Sequence, residues 1–135
     1  MTVIELARLA GVTPDVVRYY ARIGLIKPKR NPANNYKQFS DGDVKDVRFI
    51  RRAQRLGFTL AEIAGIIKKS RQGNTPCPMV RETILRRIEE NRHALAELVA
   101  LQDRMERALA LWQTMPDGAP DGHAICALIE AIEGV

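Results

Sequence analysis

The sequence predicts a mostly α-helical fold in which a compact helical domain with a small β hairpin precedes one long helix. Three observations predict it. Capped helical segments fill most of the first seventy residues, a turn-rich basic stretch interrupts them, and apolar residues then recur every three or four positions from Met79 to Gln113. The 135 residues suffice for one compact domain and an extension, but not for two full-sized domains.

Two short helices open the chain. The first, Val3–Ala10, ends at Gly11, because glycine readily adopts the backbone conformation that closes a helix. The second, Pro14–Arg22, follows the N-cap residue Thr13 and has its proline in the first turn, where proline is tolerated. Two short helices around a glycine-containing turn form a helix-turn-helix.

The second helix carries side chains suited to DNA. One side of it presents Asp15, Arg18, Tyr19 and Arg22. Arginine can bind a guanine edge or a phosphate in bidentate fashion, and a tyrosine hydroxyl can hydrogen-bond a phosphate. We therefore predict that this is the recognition helix.

A turn-rich basic stretch follows at residues 25–39, with two prolines, three asparagines and four basic residues. Short strands at Leu25–Ile26 and Lys37–Phe39 around the turn Asn31–Asn35 would form a wing. Such a wing would carry Tyr36 and Lys37 to the DNA backbone. A solvated loop is the alternative.

Charge is divided unevenly along the chain. Residues 1–72 hold 15 lysines and arginines against 6 aspartates and glutamates, a net charge of +9, whereas residues 73–135 hold 6 against 10, a net charge of −4. Basic residues neutralise phosphates and release counterions, so the first part is predicted to bind nucleic acid. No apolar run is long enough for a membrane span and the first ten residues lack a signal-peptide layout, so we expect a cytoplasmic protein without a membrane partner.

The segment 79–113 contains no glycine or proline, and its apolar residues define a narrow coiled-coil seam. At about 1.5 Å per residue this helix is about 50 Å long, more than a small domain covers with its own core. The seam therefore predicts a homodimer, in which Asn91 and Gln102 are polar positions that set the register. The seam residues are Ile84, Ile88, Leu95, Leu98, Met105, Leu109 and Trp112.

The two cysteines, Cys77 and Cys126, lie just beyond the two ends of the predicted long helix. Antiparallel packing of two subunits would place Cys77 of one near Cys126 of the other, at two symmetric positions. In a reducing compartment such cysteines are free thiols, metal ligands or redox sensors. The start of a helix favours a thiolate at Cys77, which is the form a soft metal requires.

The tail before Cys126 offers further ligands. His123 stands three residues before Cys126, so both side chains could face one ion; a solvated histidine is the alternative. Asp117 and Asp121 each precede a glycine, which turn formation also explains, and Met115 is either a soft ligand or a packing residue. The predicted metal ligands are Cys77, Cys126 and His123, with Asp117, Asp121 and Met115 as secondary candidates.

The runs VRYYARIGLIKPKR and NNYKQFSDGDVKDVRFIRRAQRLGFTLAEIAGII resemble the winged-helix domain of the MerR family of transcription regulators. The long helix with its cysteine-bearing tail is similar to the dimerisation and effector region of that family. The resemblance implies an antiparallel coiled-coil dimer that binds a promoter with an overlong spacer and activates it by distorting the DNA, with RNA polymerase as a partner. It places Arg18, Tyr19 and Tyr20 in the recognition helix and Tyr36 and Lys37 in the wing. The predicted DNA-binding residues are Thr13, Arg18, Tyr19, Tyr20, Arg22, Lys29, Tyr36 and Lys37.

The same resemblance bears on the effector. Family members that sense divalent soft ions carry a cysteine where Cys77 stands, and those that sense monovalent coinage metals usually carry serine, which implies zinc, cadmium, mercury or lead. Most such sensors have another cysteine near the start of the tail loop, where this chain has Met115 and Pro116. The alternative effector is an oxidant or electrophile, which would give an interchain disulfide or an adduct.

The predicted organisation is a winged helix-turn-helix DNA-binding domain at 1–72, a linker at 73–78, a dimerisation helix at 79–113, and an effector-binding loop with a short helix (126–132) at 114–135. No Ser/His/Asp arrangement, phosphate-binding glycine loop or pair of catalytic carboxylates can be read from the sequence, so we predict a regulator and not an enzyme. An architectural DNA binder that responds to no effector is a third interpretation.

Overall fold

The computed structural model describes residues 1–133 and is mostly helical, as predicted. These residues fall into two compact units, Met1–Val80 and the residues from Arg81 onward. The last two residues of the predicted segment 114–135 lie outside the described part. The elements of the described residues are α1 (Val3–Ala10), α2 (Pro14–Arg22), β1 (Lys29–Arg30), β2 (Lys37–Gln38), α3 (Asp41–Arg55), α4 (Leu60–Arg71), α5 (Cys77–Trp112) and α6 (Ala127–Glu130).

Local capping defines the helix-turn-helix. The Thr2 hydroxyl oxygen accepts a hydrogen bond from the backbone nitrogen of Glu5 at 3.2 Å, and α1 ends at Gly11, whose φ of 72° is left-handed. Thr13 caps α2 in the same way, accepting from the backbone nitrogen of Val16 at 3.3 Å. Helix α1 packs against both α2 and α3, so the predicted pair of short helices is confirmed.

The core of the first unit is apolar and draws on every helix from α1 to α4. On α3 the buried residues recur every three or four positions, which turns one stripe of the helix inward. A capping box at each start, Ser40 with Asp43 and Thr59 with Glu62, fixes where α3 and α4 begin. The largest fully buried side chains are Leu6, Val17, Ile26, Val47, Ile50 and Ile63.

The wing is present, but its first strand differs from the prediction. The strands are Lys29–Arg30 and Lys37–Gln38, paired antiparallel, whereas Leu25–Ile26 was the predicted first strand. Leu25 and Ile26 are buried in the core, and their backbone nitrogens donate to the Tyr20 carbonyl at the end of α2, so they are not available for a ladder. Phe39 is also buried and pairs with the Met1 backbone, which ends β2 at Gln38.

The long helix α5 spans 36 residues and begins at Cys77, inside the predicted linker 73–78. The backbone nitrogen of Cys77 donates to the Thr75 hydroxyl oxygen at 3.3 Å, and Pro78 is compatible with the first turn because the first amides of a helix lack intrahelical acceptors. Within residues 1–133, no helix combines the length and the apolar character that crossing a bilayer requires.

The tail contacts the end of α5. The indole nitrogen of Trp112 donates to the carbonyl oxygen of Leu128 at 2.6 Å, and this bond is partly buried. Helix α6 covers only Ala127–Glu130, with Cys126 as its N-cap, and is therefore shorter than the predicted 126–132.

Candidate DNA-binding surface and thiol positions

The exposed side of α2 carries two arginines, and each has a partner three residues earlier. Nη1 of Arg18 lies 2.9 Å from Oδ1 of Asp15. The guanidinium carbon of Arg22 lies 5.2 Å from the centroid of the Tyr19 ring, a cation–π geometry. Both cationic groups are accessible to solvent, so this side of α2 can contact an anion.

Tyr20 is not on that surface, which corrects its prediction as a DNA-binding residue. Its side chain is 2% exposed, and its hydroxyl donates to Oε1 of Gln54 on α3 at 2.6 Å. A buried ring with a satisfied hydroxyl cannot reach DNA. Tyr20 instead fixes α2 against the core.

Two other predicted contacts, Thr13 and Lys29, are exposed. Thr13 stands at the start of α2, and the first backbone N–H groups of a helix are common phosphate contacts. Lys29 lies on β1 opposite Gln38. Both positions are therefore compatible with contacts to a nucleic-acid backbone.

The wing brings like charges together. Arg30 lies directly opposite Lys37 in the ladder, an arrangement that is unfavourable without an anion. Nη1 of Arg30 donates to the carbonyl oxygen of Asn35 at 3.0 Å, and Asn35 has the positive φ, 60°, that this tight turn requires. The sequence prediction omitted Arg30, although its place between Lys29 and the turn was a usable signal.

A groove of about 330 Å³ lies between the recognition helix and the wing. Its walls bring Arg18 together with Tyr36 and Lys37, three of the predicted DNA-binding residues. Tyr36 is 74% exposed, so its hydroxyl is free to approach a ligand. Two cationic groups and a phenol around one open groove suit DNA, which offers acceptors on both its phosphates and its base edges. The lining residues are Thr2, Val3, Arg18, Tyr36, Lys37 and Phe39.

Both cysteines are free thiols at helix starts. Cys77 is exposed and is the first residue of α5, whereas Cys126 is half-buried at the start of α6. The two residues belong to different compact units. Among residues 1–133 of one chain, no three histidine, cysteine, aspartate or glutamate side chains converge as a metal site.

The tail loop before Cys126 is held by Asp121. Its Oδ1 accepts from the backbone nitrogens of His123 at 2.8 Å and Ala124 at 3.0 Å, and these bonds lower the pKa of the Asp121 carboxyl. Asp117 and His123 are exposed, and Met115 is half-buried beside the end of α5. The carboxylate of Asp121 thus has a structural role, while His123 is accessible to a ligand.

The predicted seam of α5 is largely open to solvent in the single chain. Leu95, Leu98, Met105 and Leu109 are each more than half exposed. Ile84 and Trp112, near the two ends of the seam, are half-buried. An exposed apolar stripe of this length on one helix is typical of an interaction surface.

Two family descriptions match the chain. Residues 1–70 match "MerR HTH family regulatory protein", and residues 44–108 match "MerR, DNA binding". The chain is similar to the HTH-type transcriptional regulator HmrR of Sinorhizobium medicae (strain WSM419), with 35% identity over 130 residues that cover 96% of this chain and 84% of that protein.

Solved structures share the fold. The transcription regulator PbrR691 from Ralstonia metallidurans CH34, in complex with lead(II), is 21% identical, with a TM-score of 0.76 over 96% of this chain and 97% of that one. The dual-function transcriptional regulator MerR from Bacillus megaterium MB1, in complex with mercury(II), is 29% identical, with a TM-score of 0.52 and the same shares covered. With its capped helix-turn-helix, basic wing and long helix, the chain belongs to the MerR family of helix-turn-helix regulatory proteins and is a DNA-binding transcription regulator, not an enzyme.

Proposed function

We propose that the chain acts as an antiparallel homodimer that activates a promoter by distorting its DNA when a divalent soft metal ion binds between the subunits. The observation that carries this proposal is the position of the two thiols. Cys77 is the first residue of the helix that bears the exposed apolar seam, and Cys126 lies in the tail that follows the last residue of that helix.

The DNA-binding part of the proposal is supported by the groove between α2 and the wing. Arg18, Tyr36 and Lys37 line it, and Arg22 extends the basic surface along α2. Phosphate contacts fix the position of a protein on the duplex, and arginine on the recognition helix reads base edges in the major groove. RNA polymerase would then act on the distorted promoter.

The dimer is supported by the open seam. Burying apolar side chains favours association, and the seam residues offer apolar area along most of α5. In an antiparallel pair the start of one helix meets the end of the other. Each Cys77 would then lie close to the Cys126 of the second subunit, so ligands would not need to converge within one chain.

The donor set suits a soft ion. Two thiolates and the exposed His123 imidazole make a three-ligand site that mercury or cadmium accepts, and zinc would add water or a carboxylate such as Asp117. Asp121 and Met115 are weaker candidates, because Asp121 already accepts two backbone hydrogen bonds and Met115 is half-buried. The mercury complex of the Bacillus megaterium relative and the lead complex of PbrR691 support a soft metal in general.

Metal binding changes transcription only if the ion prefers one arrangement of the DNA-binding units. A difference of about 1 to 3 kcal/mol between the two arrangements is typical of allosteric coupling. A metal that bound both arrangements equally would leave the promoter response unchanged, however tightly it bound.

Two measurements test the proposal. The first is metal analysis of protein purified with a reductant, and the second is competition among zinc, cadmium, mercury and lead for the site. We expect Cys77→Ser to lose metal binding and to retain promoter affinity, while His93→Ala, a histidine in the middle of α5, changes neither. Metal-free protein that forms an interchain crosslink with peroxide on a non-reducing gel would instead support the oxidant-sensing alternative.

A further inference from the structure

The recognition helix carries one acidic side chain, Asp15, on its exposed side. Its carboxylate is 94% exposed and lies in the first turn of α2, within the basic first part of the chain. A negative charge at this position repels phosphates and therefore weakens binding to DNA in general. A role in DNA affinity therefore does not account for Asp15, which leaves the favourable charge at the start of α2 and a role in selectivity.

The geometry ties Asp15 to a base-reading side chain. Oδ1 of Asp15 lies 2.9 Å from Nη1 of Arg18, three residues further along the same helix. A guanidinium is a rigid planar group with five N–H donors, so a contact to one terminal nitrogen orients the whole plane and leaves donors free. Residues near the start of a recognition helix are those that reach base edges.

On the basis of the DNA-binding function proposed above, we propose that Asp15 is a positioning residue that holds the Arg18 guanidinium for a bidentate contact to guanine O6 and N7. The carboxylate competes with phosphate oxygens for Arg18. Without Asp15, Arg18 would be free to bind a phosphate, which adds affinity but carries no sequence information.

The second arginine of the same helix has a different partner. Arg22 stacks on the ring of Tyr19, and among residues 1–133 no carboxylate is paired with it that would compete with phosphate for its donors. Arg18 is therefore assigned to base reading and Arg22 to the backbone. Loss of Arg18 should therefore lower selectivity for one base, whereas loss of Arg22 should weaken binding to all sequences alike.

Exposed ion pairs contribute little in water, so the effect of Asp15 is expected in the complex and not in the free protein. In the DNA groove the pair loses water, which strengthens the interaction between the Asp15 carboxylate and the Arg18 guanidinium. If guanine is present, the remaining Arg18 donors bind it. If the base cannot accept from Arg18, those donors lose water without gaining a partner, which disfavours binding to that sequence. Selectivity should therefore change more than stability.

Selection from a library of randomised DNA duplexes tests this, with the full-length wild-type chain and the variants Asp15→Ala and Asp15→Asn. For Asp15→Ala we expect the preference for guanine at one position of each half-site to fall several-fold, which is less than the roughly tenfold or more expected when a whole bidentate contact is lost, because Arg18 is still present. Preferences at other positions stay unchanged, and affinity for an unselected duplex rises. Asp15→Asn keeps an oxygen acceptor without the charge, so its guanine preference should lie between those of the wild type and Asp15→Ala.

A matched control is available on α5. Glu89 and Arg92 form an exposed pair with the same three-residue spacing, 3.0 Å apart, so Glu89→Ala removes an equivalent pair away from α2. We expect this variant to keep every base preference. Thermal unfolding of both variants separates a loss of selectivity from a loss of the favourable charge at the start of α2.

Arg18→Ala separates the two levels of the proposal. If Arg18→Ala binds the selected sequence as well as the wild type does, the proposed DNA surface is wrong. If Arg18→Ala loses the guanine preference and Asp15→Ala keeps it, only the positioning role of Asp15 is overturned. A wild-type chain that selects no guanine also overturns it, because Arg18 would then read no base.

Discussion

The hydroxyl of Tyr20 donates a 2.6 Å hydrogen bond to Oε1 of Gln54, and this bond joins the recognition helix α2 to α3. Tyr20 is buried and Gln54 is half-buried, so little water competes for either group. The exposed residues of α2 therefore stand on a helix that is anchored from its inner side.

Tyr20→Phe tests this anchor. Removing the hydroxyl leaves the ring in place and the Gln54 oxygen without its donor, and we expect the free energy of unfolding to fall by about 1 kcal/mol. Urea denaturation measures the change. The exposed Tyr36 provides the matched control, since Tyr36→Phe should leave stability unchanged and weaken DNA binding. A Tyr20→Phe variant of normal stability but reduced DNA affinity would contradict the anchor.

Leu98→Glu tests the seam of α5. A charge at a coiled-coil position cannot be buried against a partner without a large cost, so we expect this variant to be monomeric at micromolar concentrations. Sedimentation velocity measures the change in mass. Ala100→Glu adds the same charge two residues away, outside the seam, and should remain a dimer. If Leu98→Glu also remains a dimer, α5 does not associate through this stripe.

The pH dependence of the tail follows from Asp121. Hydrogen bonds from the backbone nitrogens of His123 and Ala124 lower the pKa of this carboxyl. A lowered folded-state pKa means that the stabilisation is complete above the unfolded value, about 3.9, and is lost as the pH falls through the lower folded value. We expect the amide NMR signals of His123 and Ala124 to titrate with a midpoint below that of unfolded aspartate. In Asp121→Asn this titration should disappear, and a midpoint at or above 3.9 in the wild type would refute the assignment.

Trp112 should report on the state of the tail. It is the only tryptophan of the chain, and its indole donates to the carbonyl of Leu128, two residues after Cys126. Mercury added to the reduced protein is therefore expected to change the fluorescence of Trp112, and Cys126→Ser should abolish the change. Wild-type protein that binds mercury by mass spectrometry without a fluorescence change would show that the tail does not respond.

Local rules explain why much of the fold could be predicted from the sequence. Thr13, Ser40 and Thr59 are N-caps in the structure because a hydroxyl at these positions satisfies a free backbone N–H. The first wing strand was misplaced for a tertiary reason. Leu25 and Ile26 are residue types common in strands, but their side chains are buried in the core and their backbone nitrogens donate to the Tyr20 carbonyl near the end of α2.

The candidate site was predicted only where exposure follows from helix periodicity. Arg18, Tyr19 and Arg22 are exposed as expected, whereas Tyr20 lies three residues after the buried Val17, on the inner side of α2, where its hydroxyl bonds Gln54. The metal ligands stay a prediction, since a site shared by two subunits is not determined by the fold of one chain.

Mixing two inactive variants tests most directly whether the metal site is shared between subunits. Cys77→Ser and Cys126→Ser each remove both sites of a homodimer, but a mixed dimer retains one intact pair, Cys77 from one subunit and Cys126 from the other. After subunit exchange with reductant, native mass spectrometry in the presence of a competing monothiol, which removes mercury held by a single cysteine, should find one mercury ion per mixed dimer and none in either parent. No mercury in the mixed dimer would contradict an interchain site.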